Sequence, residues 1–201
     1  MASEVEICNM ALGRIGEDPI LSFDDGDKAS DLCRDNWESV RDVTLKAIAP
    51  SCAVRRTTLV RSVDTPAWGW DYQYVLPTGY LKLLSPSSSE SSELYEVEGY
   101  SPSFKYEIED GKLLCNDEGP IGIKYVFRQV NTTKYDATTV EAMVLAMASV
   151  LAWSLRNIRS LSESLMGQFK ELVADASGQS TRERTDLVEE DTDFNWITSR
   201  Y

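Results

Sequence analysis

Residues 136–158 read DATTVEAMVLAMASVLAWSLRNI. Asp136 is a residue type that caps helix N-termini, and the segment after it is rich in Ala, Leu and Met. Its apolar side chains run around most of a helical circumference rather than along one stripe. A helix of that kind belongs at the centre of a packed domain. It carries Glu141, Ser149 and Ser154, so the apolar run falls short of the roughly 20 predominantly apolar residues that span a bilayer.

A central helix needs amphipathic partners, and the sequence supplies three. Residues 3–15 place Ile7, Ala11 and Ile15 at i, i+4 spacing, with Ser3 to cap and Gly16 to terminate. Residues 29–48 carry a stripe of Cys33, Trp37, Val40, Thr44 and Ala47, and Pro50 stops them. Residues 160–163, SLSE, have the capping-box pattern and predict a last helix over 161–176, ended by Gly178. Between the first two helices, EDPILSFDDGDKAS is a loop.

The middle of the chain changes period. Residues 72–76, 80–84, 94–100, 104–108, 112–115 and 121–130 read as strands separated by Pro, Gly, Ser and Asp turns. YEIEDGKLLC is the best hairpin, with Asp110–Gly111 suited to a type I′ turn. Upstream, PAWGWDYQYVLP (66–77) sets Trp68, Trp70, Tyr72 and Tyr74 at every second position, one face of an extended segment. From this pattern Tyr72 and Tyr74 are expected to turn into the core, and Trp68 and Trp70 to lie at a subunit contact. The fold class is therefore α+β: a helical bundle (1–65 and 132–177), an inserted antiparallel β subdomain (66–131) and an extended C-terminal arm (178–201). The arm is a polar spacer that ends in Phe194, Trp196, Ile197, Arg200 and Tyr201. Aromatic anchors on a polar segment suit docking on a partner.

Composition narrows the function. The chain has 201 residues, no histidine and a formal net charge of −13. Histidine-dependent nucleophilic catalysis is excluded, and neither a P-loop nor a dinucleotide fingerprint is present. No cofactor or metal site is expected. Cys8, Cys33, Cys52 and Cys115 are too scattered for a CxxC metal pair and read as buried free thiols. The acidic balance argues against general nucleic-acid binding. The N-terminal segment MASEVEICNMALGRIG lacks a basic n-region and an apolar run, so no signal peptide and no membrane association are expected. Two alternatives use the aromatic strand and its acids: a carbohydrate-binding module, or a carboxylate-based glycoside hydrolase with Glu96 and Glu98.

Several segments together resemble one family. NMALGRIGEDPILSFDDGDKASDLCRDNWESVRDVTLKAIAP (9–50) is similar to an N-terminal pattern N-x-A-L-x-x-I-G, followed by an acidic turn and a helix carrying R-D. PAWGWDYQYVLPTGYLKLL (66–84) resembles W-x-Y-x-Y-x-L-P-x-x-x-L. MVLAMASVLAWSL (143–155) and the W-x-x-x-R of Trp196 to Arg200 also fit. The family is the tail tubular protein A group of bacteriophage head-to-tail adaptors. This chain departs from it at residues 49–53, APSCA, where members often carry W-x-F-A.

The resemblance implies a non-enzymatic virion protein at the phage neck, made in the host cytoplasm. It implies a dodecameric ring between the portal protein and the tail nozzle or tube protein, through which genomic DNA passes without sequence-specific binding. On that basis the terminal aromatics would dock on the portal. The high negative charge, multiplied around a ring, predicts a net-negative channel wall, with Asp24, Asp25, Asp27, Glu107, Asp110 and Asp117 as candidates.

Overall fold

The computed structural model describes residues 2–87 and 104–182. Its elements run α1 (Glu4–Ile15), α2 (Lys28–Ile48), β1 (Val54–Leu59), β2 (Tyr72–Val75), β3 (Tyr80–Ser87), β4 (Tyr106–Glu109), β5 (Lys112–Cys115), β6 (Ile121–Phe127), α3 (Ala137–Arg156) and α4 (Arg159–Arg182). Four helices and two small antiparallel sheets make an α+β fold.

Each helix begins and ends where its chemistry dictates. Ser3 and Glu6 form a reciprocal capping box at α1, and Gly16 closes it at φ 75°. Asp27 caps α2 and Asp136 caps α3, each accepting from a backbone N–H three residues on. α3 buries eleven residues, among them Met143, Leu145, Met147 and Leu151, against α1, α2 and α4. By length and composition α3 would suffice for a membrane span, but most of it is packed inside the bundle. Complete burial of a Leu or Met side chain contributes about 1.5–3 kcal/mol, so α3 is the energetic centre of the fold.

Polar clamps fix the ends of the bundle. The Asn9 side chain donates to the Ile20 carbonyl (2.9 Å) and accepts from its N–H (2.8 Å), drawing the α1–α2 loop against α1. Arg156, at the end of α3, donates to the carbonyls of Ile15 and Gly16 and pairs with Glu17 at 3.0 Å. It thus satisfies the orphan carbonyls of a helix 140 residues away in sequence. On α2, buried Arg41 pairs with Asp42, which also binds Arg128 beyond β6.

Sheet A has the order β1-β6-β3, and sheet B the order β2-β5-β4. β6 alternates: Ile121, Ile123, Tyr125 and Phe127 join Leu59, Tyr74, Leu113 and Cys115 in a core between the sheets. Val126 turns the other way, into the helical core, with Leu81 and Leu84 of β3. Sheet A therefore lies between the bundle and sheet B. The β4–β5 hairpin turns at Asp110 (φ 44°) and Gly111 (φ 70°), as the type I′ reading requires.

Four expectations need correction. Residues 54–59, placed in the bundle half 1–65, form β1, paired along its whole length with β6. Trp68 and Trp70 do not extend the β2 strand, because Gly69 sits at φ 83° and breaks the extended run. The SLSE capping box does not form: α4 begins at Arg159, Glu163 pairs with Arg159, and the Ser162 hydroxyl donates to the Ser149 carbonyl. Gly178 does not stop α4, which continues to Arg182; one glycine costs a helix only about 1 kcal/mol. The strand expected over 94–100 lies outside the described residues.

Candidate functional site

The aromatic segment is divided by Gly69 and by the start of β2. Tyr72 and Tyr74 face the core between the sheets, and Tyr74 is fully buried, its hydroxyl donating to the Asp117 carbonyl at 2.8 Å. Burial pushes the Tyr74 phenol above its ordinary range. Tyr72 lies under the Arg61 guanidinium, 5.2 Å from the ring centre, and Arg61 also pairs with Glu118 at 2.7 Å. These two tyrosines hold the sheet together.

The tryptophans do something else. The hairpin register places Gln73, Leu114 and Glu107 in one row across sheet B, on the face turned away from the core. The loop 66–71 folds over that row. Trp70 Nε1 donates to Glu107 Oε2 at 3.0 Å, and the Asp71 N–H donates to Asn116 Oδ1 at 3.1 Å. Gln73 and Leu114 are buried, although they stand on the outer face. Trp68 is left 87% exposed beside them. Together with Glu109, Asp110 and Lys112 these residues line a shallow cleft of about 210 Å³.

Three carboxylates and two indoles around one lysine make a ledge that is apolar in the middle and acidic at the rim. Such a ledge suits contact with another macromolecule: a large aromatic anchor held in place, with polar groups around it. Glu107 serves as the acceptor for the Trp70 indole. Glu96 and Glu98, the acids of the hydrolase alternative, lie outside the described residues. So do Phe194, Trp196, Ile197, Arg200 and Tyr201 of the docking arm.

The six acids named for the channel fall into two groups. Asp24, Asp25 and Asp27 belong to the α1–α2 loop. Asp25 accepts from the N–H groups of Ser22 and Leu21, and these bonds hold its carboxyl below the usual range. Bonds from Ser30, through its hydroxyl and its N–H, do the same for Asp27. Glu107 and Asp110 line the tryptophan cleft, and Asp117 follows β5. Sheet A separates the two groups.

The cysteines are free. Cys8 and Cys33 meet between α1 and α2; a hydrogen bond to Cys33, together with burial, pushes the Cys8 thiol up. Gln73, Glu109, Lys112 and Leu114 were not singled out from sequence as site residues. The signal was present, because folding YEIEDGKLLC about Asp110–Gly111 sets Glu107 opposite Leu114. What the sequence lacks is the backward fold of the tryptophan loop. A comparison of the chain with protein-family models finds no match, and a comparison with curated proteins finds none either.

Proposed function

We propose that the chain is the subunit of a ring-shaped head-to-tail adaptor, joining a phage portal to the tail nozzle or tube and leaving a channel for DNA. The observation that carries the reading is Trp68, 87% exposed on a loop that the Trp70–Glu107 bond fixes in place. A tryptophan held in water by a built loop is a waiting contact. The resemblance of residues 9–50, 66–84 and 143–155 to the adaptor family supplies the kind of contact. Its motif residues have fitting structural roles: Asn9 and Gly16 lock the first loop, and Arg41 and Asp42 join α2 to the end of β6. A bundle with a projecting β subdomain suits a ring body with a contact element.

The test is particle size by sedimentation velocity, for the purified chain alone and with purified portal. The reading expects the chain to co-sediment with portal as a ring of many copies. It expects Trp68→Ala with Trp70→Ala to weaken that association while the helical circular dichroism stays unchanged. A chain that remains a monomer with portal present would end the reading.

A further inference from the structure

The net charge of −13 is unevenly placed. The three strands of sheet A, VRRTTL, YLKLLSPS and IGIKYVF, contain Arg55, Arg56, Lys82 and Lys124 and no Asp or Glu. Arg56 stands directly opposite Lys124 in the β1–β6 register, on the face turned away from the core between the sheets. Like charges directly opposed on a sheet are unfavourable in an isolated chain. Arg55 and Arg56 on the edge strand β1 could serve to block edge-to-edge pairing. That role does not explain Lys124, which stands on the central strand.

The opposite charge gathers elsewhere. From Glu17 to Asp35 there are seven carboxylates and two cations. This stretch is the α1–α2 loop and the first turns of α2. The C-terminal end of α2 leads directly into β1. The 21 residues of α2 span about 30 Å, so the acidic loop and the cationic sheet lie at opposite ends of one rigid rod. Leu21, in the acidic loop, is 92% exposed. An apolar knob ringed by carboxylates has the layout of an interface centre and rim.

We infer that the acidic α1–α2 loop of one copy docks on the cationic face of sheet A of the next copy, with Leu21 as its apolar anchor. The inference rests on the ring reading and names the surfaces that close the ring. Complementary patches at two different places on one body make a heterologous, head-to-tail contact, which is the kind that closes rings. Duplex DNA is the other occupant that the cations would suit. A body of net charge −13 repels a polyanion at longer range, whereas the loop of a second copy brings the matching charge on a defined surface.

The experiment uses the full chain, alone and with portal, at concentrations where it assembles. Arg56→Glu with Lys124→Glu should raise the dissociation constant of assembly on the order of tenfold or more. Adding Asp18→Lys and Asp24→Lys to the same chain should restore it; both aspartates are exposed, and neither caps a helix. A photo-crosslinking residue at position 56 should capture residues 17–35 of another copy. Assembly of the wild-type chain should weaken as salt is raised. Assembly that survives the Glu substitutions, or crosslinks that fall elsewhere, overturns the docking inference and leaves the ring reading standing. Duplex DNA retained by the wild-type chain and released by the Glu variant, without a change in assembly, overturns it in favour of nucleic acid. A chain that assembles under no condition overturns both.

Discussion

In the helical bundle, the residues that carry the family likeness are absorbed by the fold; in the β part they are split between fold and surface. Asn9, Gly16, Arg41 and Asp42 all serve helix ends, loop closure or a buried ion pair. Tyr72 and Tyr74 hold the sheets together, yet Trp68, from the same motif, stands in water. A sequence pattern shared with a family can therefore encode a scaffold in one region and a contact in another. Only burial and hydrogen-bond partners tell them apart.

The comparison breaks most readily at α3. Leu151→Ala should destabilise the protein by about 2–5 kcal/mol, because a fully buried side chain is removed where α3 meets its neighbours. Urea unfolding followed by circular dichroism measures this. A loss below about 1 kcal/mol would mean that the bundle is loosely packed there.

Next is Tyr135, which is buried and whose hydroxyl donates to the Gln129 carbonyl. Burial pushes its phenol up to about 12, with nearby Arg41 acting in the other direction. A raised folded value stabilises fully below the unfolded value near 10 and is lost as pH rises through the folded one. Two units correspond to about 2.7 kcal/mol. Unfolding free energy measured between about pH 9.5 and about pH 12 should fall, and Tyr135→Phe should flatten that fall.

Smaller again is Asn9→Ala. It leaves the Ile20 N–H and carbonyl without their clamp and should cost about 1–3 kcal/mol, read from the same urea curves. The smallest effect sharpens the contrast. Trp68→Ala should change stability by less than about 0.5 kcal/mol, since the ring is exposed. Any larger loss would return Trp68 to the scaffold.

The bundle was legible because its signals are local and repeated. The capping residues Ser3, Asp27 and Asp136 stand at their helix starts, and the stripe of α2 is buried at Cys33, Trp37, Val40 and Thr44. β1 was missed because VRRTTL has no apolar alternation; its single buried residue is Leu59, and its partner β6 lies more than sixty residues away. The tryptophan loop was misread for a related reason. Period-two spacing holds only while the backbone stays extended, and one left-handed glycine removes it. α4 began early because Asn157, in the left-handed region, turns the chain straight into a new helix, leaving no free turn for SLSE to cap.

The central place of α3 also sets a clock for the chain as it is made. α1 and α2 leave the ribosome with their apolar stripes finished but with nothing to cover them. Roughly 90 residues of β subdomain and linker must follow before α3 arrives. At bacterial elongation rates that interval is on the order of 5–20 seconds. For that time the nascent protein carries two sticky helices and a half-built sheet, which makes it a natural client for a ribosome-bound chaperone.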